Sequence, residues 1–191
     1  MIDLLTQPSA TLVAAIIAAL AAAASALLTY QGNRRARKDV TNTANYSRSF
    51  KQLNELYAPI IVRRALSKRL WTQLTGDRSA TPGITKWRLI DHIKKIKAER
   101  DPSRREAVEQ ILALNKQMSE LILTQGALLV KLPPPDSILM FLEHAATMET
   151  LWKLGVNADK VRDVPFPENL DSDLDAARIY IQAELDRAVS K

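Results

Sequence analysis

The sequence predicts an all-α fold, with one N-terminal transmembrane helix followed by a cytoplasmic bundle of four to five helices. Residues 10–28 form a continuous apolar stretch without a charged side chain. Beyond residue 49, apolar residues recur at the helical spacing of three or four, and no stretch shows the strict alternation typical of a strand. The 191 residues are 47% apolar, which is enough to bury a core. We therefore expect an anchor at 1–31, a basic juxtamembrane stalk at 32–49 and a helical bundle at 50–191.

The apolar stretch has the length of a membrane-spanning helix. As a helix, its nineteen residues extend about 28 Å, close to the thickness of a bilayer core. Tyr30 follows as an interfacial aromatic residue, and a cationic cluster comes next: Arg34, Arg35, Arg37 and Lys38. Because Lys and Arg mark the cytoplasmic flank of a spanning helix, we predict a single-pass protein of the bacterial inner membrane, with its N-terminus outside. A cleaved signal peptide and a buried core helix are the alternatives. A third, an amphipathic helix lying on the membrane surface, is disfavoured because the apolar stretch has no polar face.

Small residues recur every four positions within this stretch. They are Ala14, Ala18, Ala22 and Ala26. In lipid, small residues let helix backbones approach closely, so this spacing predicts self-association through the membrane helix.

The bundle helices are bounded by Pro and Gly. Pro59 interrupts an apolar stripe, so we predict one helix ending near Tyr57 and another from Pro59 to about residue 74. Residues 84–96 repeat Ile or Trp every three positions and predict a further helix. Ser103 and Glu106 form a capping-box pattern that opens the longest helix, to about residue 132.

Two more helices complete the predicted bundle. Asp136 is the expected cap of the first, which ends at Gly155. Its inward face is predicted from the helical spacing: Ile138, Phe141, Leu142, Ala145, Met148, Leu151 and Trp152. The last helix is predicted to begin around Asp171 or Ser172 and to run to the C-terminus.

The net charge of +6 is distributed unevenly. Residues 31–105 carry 19 basic and 6 acidic side chains, whereas residues 106–191 carry 8 basic and 14 acidic ones. A basic block next to a spanning segment favours the lipid bilayer and its anionic head groups as partners. Nucleic acid is a less favoured partner, because the few aromatic residues among these charges lie mostly on the apolar stripe.

A short motif at residues 53–60 gives a resemblance to other proteins. Glu55, Leu56, Tyr57 and Pro59 match an E-L-Y-x-P-L type motif, with Ile60 where Leu is common. The chain resembles a group of uncharacterised bacterial membrane-anchored proteins in which this motif lies between an N-terminal membrane helix and a helical domain. The resemblance implies a bacterial source and no particular activity. The step from Tyr57 to Pro59 also has a structural explanation, as a helix break with a packed aromatic residue.

The usual catalytic patterns are missing from the sequence. There is no Cys and no glycine-rich phosphate loop, and the two histidines, His92 and His144, lie 52 residues apart. Arg88 and His92 resemble the Arg–His motif of HEPN ribonucleases at a shorter spacing, and a solvated basic face explains them better. We therefore predict no metal site and no cofactor.

The sequence favours a non-enzymatic, membrane-anchored interaction or sensor protein with an unknown protein partner. The alternative is a self-assembling membrane effector of defence or toxin type, which perturbs the bilayer through its Ala-rich helix. An RNA-cleaving helical domain using His92 is a third hypothesis.

Overall fold

The computed structural model describes residues 7–76, 89–157 and 165–190, and the side chains of the first helix from Ser25 onward. These residues form helices and no strand, so the all-α prediction is confirmed. The α-helices are α1 (Gln7–Lys51), α2 (Ala58–Thr75), α3 (Ile93–Ala98), α4 (Ser103–Thr124), α5 (Asp136–Leu154) and α6 (Leu170–Val189). A π-helix, Gln52–Tyr57, joins α1 to α2, and short 3-10 turns lie at Leu89–Asp91 and Gly126–Leu128.

The prediction of a membrane-spanning helix is wrong on this structure. Among the helices formed by the described residues, none is both long and apolar enough to cross a bilayer. Helix α1 runs without interruption through the cationic cluster to Lys51. Five charged side chains between Arg34 and Asp39 exclude that part of the helix from hydrocarbon. The single-pass topology and the inner-membrane location, which were predicted from this helix, are therefore wrong as well.

The chain divides into two compact units, Met1–Tyr46 and Ser47–Lys191. Where its side chains are described, the first unit is a single helical segment. In the second unit, the end of α1 passes through the π-helix into α2. Helix α4 packs against α2 and α6 against the π-helix, while α3 and α5 pack against α4. The boundary between Tyr46 and Ser47 lies within the segment predicted as a stalk.

The π-helix accommodates Pro59 in a continuous helical path. Proline has no N–H group to donate to the carbonyl four residues earlier, and its ring clashes with that carbonyl in a regular α-helix. The residue before it, Ala58, donates its N–H to the Leu53 carbonyl, five residues earlier rather than the usual four. This bond widens the turn before Pro59. The predicted interruption near Tyr57 is therefore a π-helix within a continuous helical path.

Helices α2 and α4 form the most extensive pair of the bundle and run antiparallel. Arg63 Nε donates to Gln117 Oε1 at 3.0 Å, and one turn further along α2 Ser67 Oγ bonds to Asn115 Oδ1 at 3.3 Å. Both Ser67 and Asn115 are buried. Because a buried polar group without a partner is costly, this bond favours one alignment of the two helices.

Two apolar clusters make up the core. The larger one joins the π-helix with α2, α4, α5 and α6 around Leu56, Met118, Phe141 and Ile181. The smaller one joins α3 with α4 and α5 around Ile93, Ile96, Val108, Leu151 and Trp152. The predicted inward face of α5 is largely confirmed, because Leu142 is half-buried and the other six side chains are buried.

The predicted helix caps differ from the observed ones. Ser103 is the first residue of α4 rather than its N-cap, which is Pro102, and the Ser103 N–H donates to Asp101 Oδ1 at 2.9 Å. This bond lowers the pKa of the Asp101 carboxyl. Helix α5 begins at Asp136 itself and ends at Leu154, and the C-cap residue Gly155 has a φ of +67°, which favours glycine.

Candidate functional site

The cationic cluster predicted from the sequence is exposed on α1. Its residues are Arg34, Arg35, Arg37 and Lys38, and Tyr30 one turn earlier is 67% exposed. None of the four cations forms an ion pair with another residue that the structure describes. The cluster therefore offers unneutralised positive charge to an anionic partner.

Most of these residues share one side of the helix. A shallow groove along α1 is lined by Tyr30, Asn33, Arg34, Arg37, Lys38, Thr41 and Asn42. The Thr41 hydroxyl donates to the Arg37 carbonyl at 2.9 Å, and Thr29 and Thr43 bond to the carbonyls four residues earlier in the same way. The threonine hydroxyls are thus satisfied within the helix, whereas the cations are available for binding.

The small-residue face predicted to pair helices is only partly described. Ala26 is exposed on α1. The side chains of Ala14, Ala18 and Ala22 lie outside the described side chains, so self-association through this face stays a prediction.

The motif at residues 53–60 is largely part of the core. Leu56 is fully buried and Tyr57 is 4% exposed, whereas Pro59 is half-buried and Glu55 is exposed. Tyr57 Oη accepts a hydrogen bond from the Val130 N–H at 3.1 Å. Burial raises the pKa of the Tyr57 phenol, and the bond from Val130 partly offsets this rise. The motif therefore serves to fold the bundle, and among its four residues Glu55 alone is exposed.

A cluster of charged and aromatic side chains joins α2, α5 and the start of α6. Arg64 binds both carboxylate oxygens of Asp171, with Nε donating to Oδ1 at 2.6 Å and Nη2 donating to Oδ2 at 3.2 Å. Lys68 Nζ donates to the same Oδ2 at 3.1 Å. The Arg64 guanidinium also lies 4.2 Å from the centre of the Phe166 ring, whose edge-to-face neighbours include His144.

Arg64 and Lys68 lower the pKa of the Asp171 carboxyl. Burial by itself raises the pKa of this carboxyl, but the hydrogen bonds and charges of Arg64 and Lys68 outweigh burial and hold the pKa below its ordinary value. A carboxylate whose pKa is lowered in the folded state stabilises the fold above its unfolded pKa. That contribution is lost as the pH falls through the folded pKa.

We predict that Asp171→Asn removes a pH-dependent part of the stability. At neutral pH the variant should unfold more easily by about 1 kcal/mol, because the charged bonds to Arg64 and Lys68 are weakened. The difference from the wild type should shrink as the pH falls from about 4, the pKa of an unfolded Asp, through the lower pKa of the folded carboxyl. Urea unfolding at several pH values measures this. Asp175→Asn is the control, since Asp175 pairs with Arg178 on the exposed surface and should show a smaller change. A constant difference across the pH range would contradict the prediction.

The two histidine candidates lie on different elements of the bundle. His144 packs edge-to-face on Phe166 at 5.3 Å between ring centres, and His92 precedes the short helix α3. Arg88, the residue paired with His92 in the ribonuclease hypothesis, lies outside the described residues. No group of three or more His, Asp or Glu side chains is placed to hold a metal ion in the part of the chain that the structure describes.

Sequence reasoning missed the contacts that join distant helices. Arg64 and Asp171 are 107 positions apart, and Phe166 lies in the irregular segment before α6. Periodicity identifies the face of a helix but not the partner across it, so nothing in the sequence paired these residues.

Comparison with protein-family models, with curated proteins and with solved structures finds no match to this chain. The resemblance at residues 53–60 thus stays a prediction.

Proposed function

We propose that this chain is a non-enzymatic interaction protein, in which a folded helical bundle carries α1 as its partner-binding element. The observation that supports this is the exposure of α1. Every side chain from residue 25 to residue 48 is exposed, except Asn42, which is half-buried. Helices in proteins are stabilised mainly by packing one face against other elements. A long helix that is exposed on all sides is therefore best explained as a surface that a partner covers.

The hydrogen bonding and the pKa values of the polar side chains in the bundle support a structural role rather than a catalytic one. Among the described residues, no buried side-chain nitrogen or oxygen lacks a hydrogen-bond partner. In the described part of the chain, clear pKa shifts occur at Tyr57, Asp101, Glu149 and Asp171, and each follows from burial, from a local hydrogen bond or from an ion pair. Catalytic groups commonly combine a perturbed pKa with an open cleft, and these four groups lie at helix junctions or in a surface ion pair.

Site-specific photocrosslinking in living cells tests this proposal. We expect p-benzoylphenylalanine at position 30 to form adducts, because Tyr30 lies beside the cationic groove on α1. The matched control is position 180, an exposed tyrosine on α6. Arg34→Glu combined with Arg37→Glu should abolish the adducts at position 30 and leave the background at position 180 unchanged. Equal yields at the two positions, or adducts that survive the charge reversal, would refute a binding role for α1.

A further inference from the structure

The cations of α1 differ in their surroundings from many of the bundle cations. Arg64, Lys68, Arg104, Lys153, Arg178 and Arg187 each pair with a carboxylate. Arg34, Arg35, Arg37 and Lys38 form no such pair with any residue that the structure describes, and Asp39 is the only acidic residue beside them. Four unneutralised cations within five positions fit a surface that carries many negative charges.

Exposed apolar side chains lie immediately before these cations. Leu27 is 59% exposed, Leu28 is 69% exposed, and Tyr30 is also largely exposed. Cations alone fit any polyanion, but a duplex nucleic acid offers its phosphates to the cations and little to two adjacent leucines. An anionic phospholipid surface matches both features, because head-group phosphates attract the cations and the acyl boundary receives apolar and aromatic side chains.

We propose that residues 27–38 of α1 dock on a surface of anionic phospholipid head groups. Arg34, Arg37 and Lys38 contact the phosphates, while Leu27, Leu28 and Tyr30 enter the boundary between head groups and acyl chains. The docking is peripheral and requires no segment to cross a bilayer. This inference rests on the proposed function, since it names the partner of the same helix.

Vesicle binding by the full chain tests the inference. The probes are vesicles of mixed phosphatidylglycerol and phosphatidylcholine, compared with vesicles of phosphatidylcholine alone. Each cation near an anionic surface strengthens the attraction about fivefold, so the wild type should prefer the mixed vesicles by at least about tenfold at low salt. The preference should fall as salt is added, because ions screen exposed charges.

Matched variants separate the cationic cluster from net charge. Arg34→Glu with Arg37→Glu should remove most of the preference for the mixed vesicles. Lys94→Glu with Lys95→Glu produces the same change in net charge at exposed positions of α3 and should retain the preference. Leu27→Ser with Leu28→Ser should weaken binding to the mixed vesicles by at least about threefold while leaving the unfolding of the bundle unchanged.

Several outcomes would overturn the inference. These are equal binding of the wild type to both kinds of vesicle, equal losses in the α1 and α3 charge variants, and no effect of the two serine substitutions. Full competition by a duplex oligonucleotide, together with silent serine substitutions, would identify nucleic acid as the partner. If position 30 gives charge-dependent protein adducts in cells while the vesicle preference is absent, the lipid inference fails and the proposed function stands. If position 30 gives no adduct of any kind, the proposed function fails.

Discussion

Replacing Phe141 by alanine is expected to lower the free energy of unfolding by about 3–5 kcal/mol. Phe141 is 1% exposed and belongs to the larger apolar cluster, which joins four helices and the π-helix. Its ring also meets Phe166 edge to face, with 6.1 Å between the ring centres. The substitution removes this contact and leaves a cavity at the junction of α5 with the segment before α6.

Leu139→Ala is the matched control for this prediction. Leu139 lies two residues earlier on α5 and is 49% exposed, so its truncation should change the free energy of unfolding by no more than about 0.5 kcal/mol. Urea unfolding followed by tryptophan fluorescence measures both variants, because Trp152 is buried in the smaller cluster. A loss below about 1 kcal/mol for Phe141→Ala would contradict the central position of this ring in the core.

The helices that could be predicted from the sequence are those whose pattern and end signals agree. On α5 the apolar spacing selects the buried face, and Gly155 ends the helix in a left-handed conformation that suits glycine. On α2 the prediction from Pro59 to about residue 74 lies within one residue of the observed bounds, Ala58–Thr75. In both helices the local signals and the tertiary packing favour the same structure.

The end of α4 shows where periodicity fails. The apolar pattern predicts a helix to about residue 132, but α4 ends at Thr124 and a short 3-10 turn follows. Leu129 is nevertheless buried in the larger cluster, and the Val130 N–H finds its acceptor in Tyr57 Oη. An apolar residue needs burial and a backbone N–H needs an acceptor, and a loop with a side-chain acceptor meets both needs without a helix.

The candidate site, like the fold, has one part that could be predicted from the sequence and another that could not. The cationic cluster on α1 could be predicted, because charge is a property of composition and a polar helix leaves its cations exposed. The bond between Arg64 and Asp171 could not be predicted, since it depends on how α2 and α6 approach each other in space. The membrane-spanning prediction is wrong, since no helix among the described residues is long and apolar enough to cross a bilayer.

Within the motif at residues 53–60, Leu56 and Glu55 should respond very differently to alanine. Leu56→Ala removes a fully buried side chain where the π-helix meets the larger cluster, so we expect a loss of about 2–5 kcal/mol in the free energy of unfolding. Glu55→Ala truncates an exposed neighbour in the same π-helix and should change it by no more than about 0.5 kcal/mol. Urea unfolding of the two single variants measures the contrast.

The contrast between these neighbours tests what the motif does. If the motif serves to fold the bundle around Pro59, stability depends on Leu56, and Glu55→Ala leaves the photocrosslinking at position 30 unchanged. If Glu55→Ala abolishes that crosslinking without loss of stability, the motif binds the partner directly and the assignment to folding is wrong. Because the two residues are adjacent in one π-helix and differ in burial, a general distortion of this turn would affect both variants alike, whereas loss of core packing affects Leu56→Ala alone.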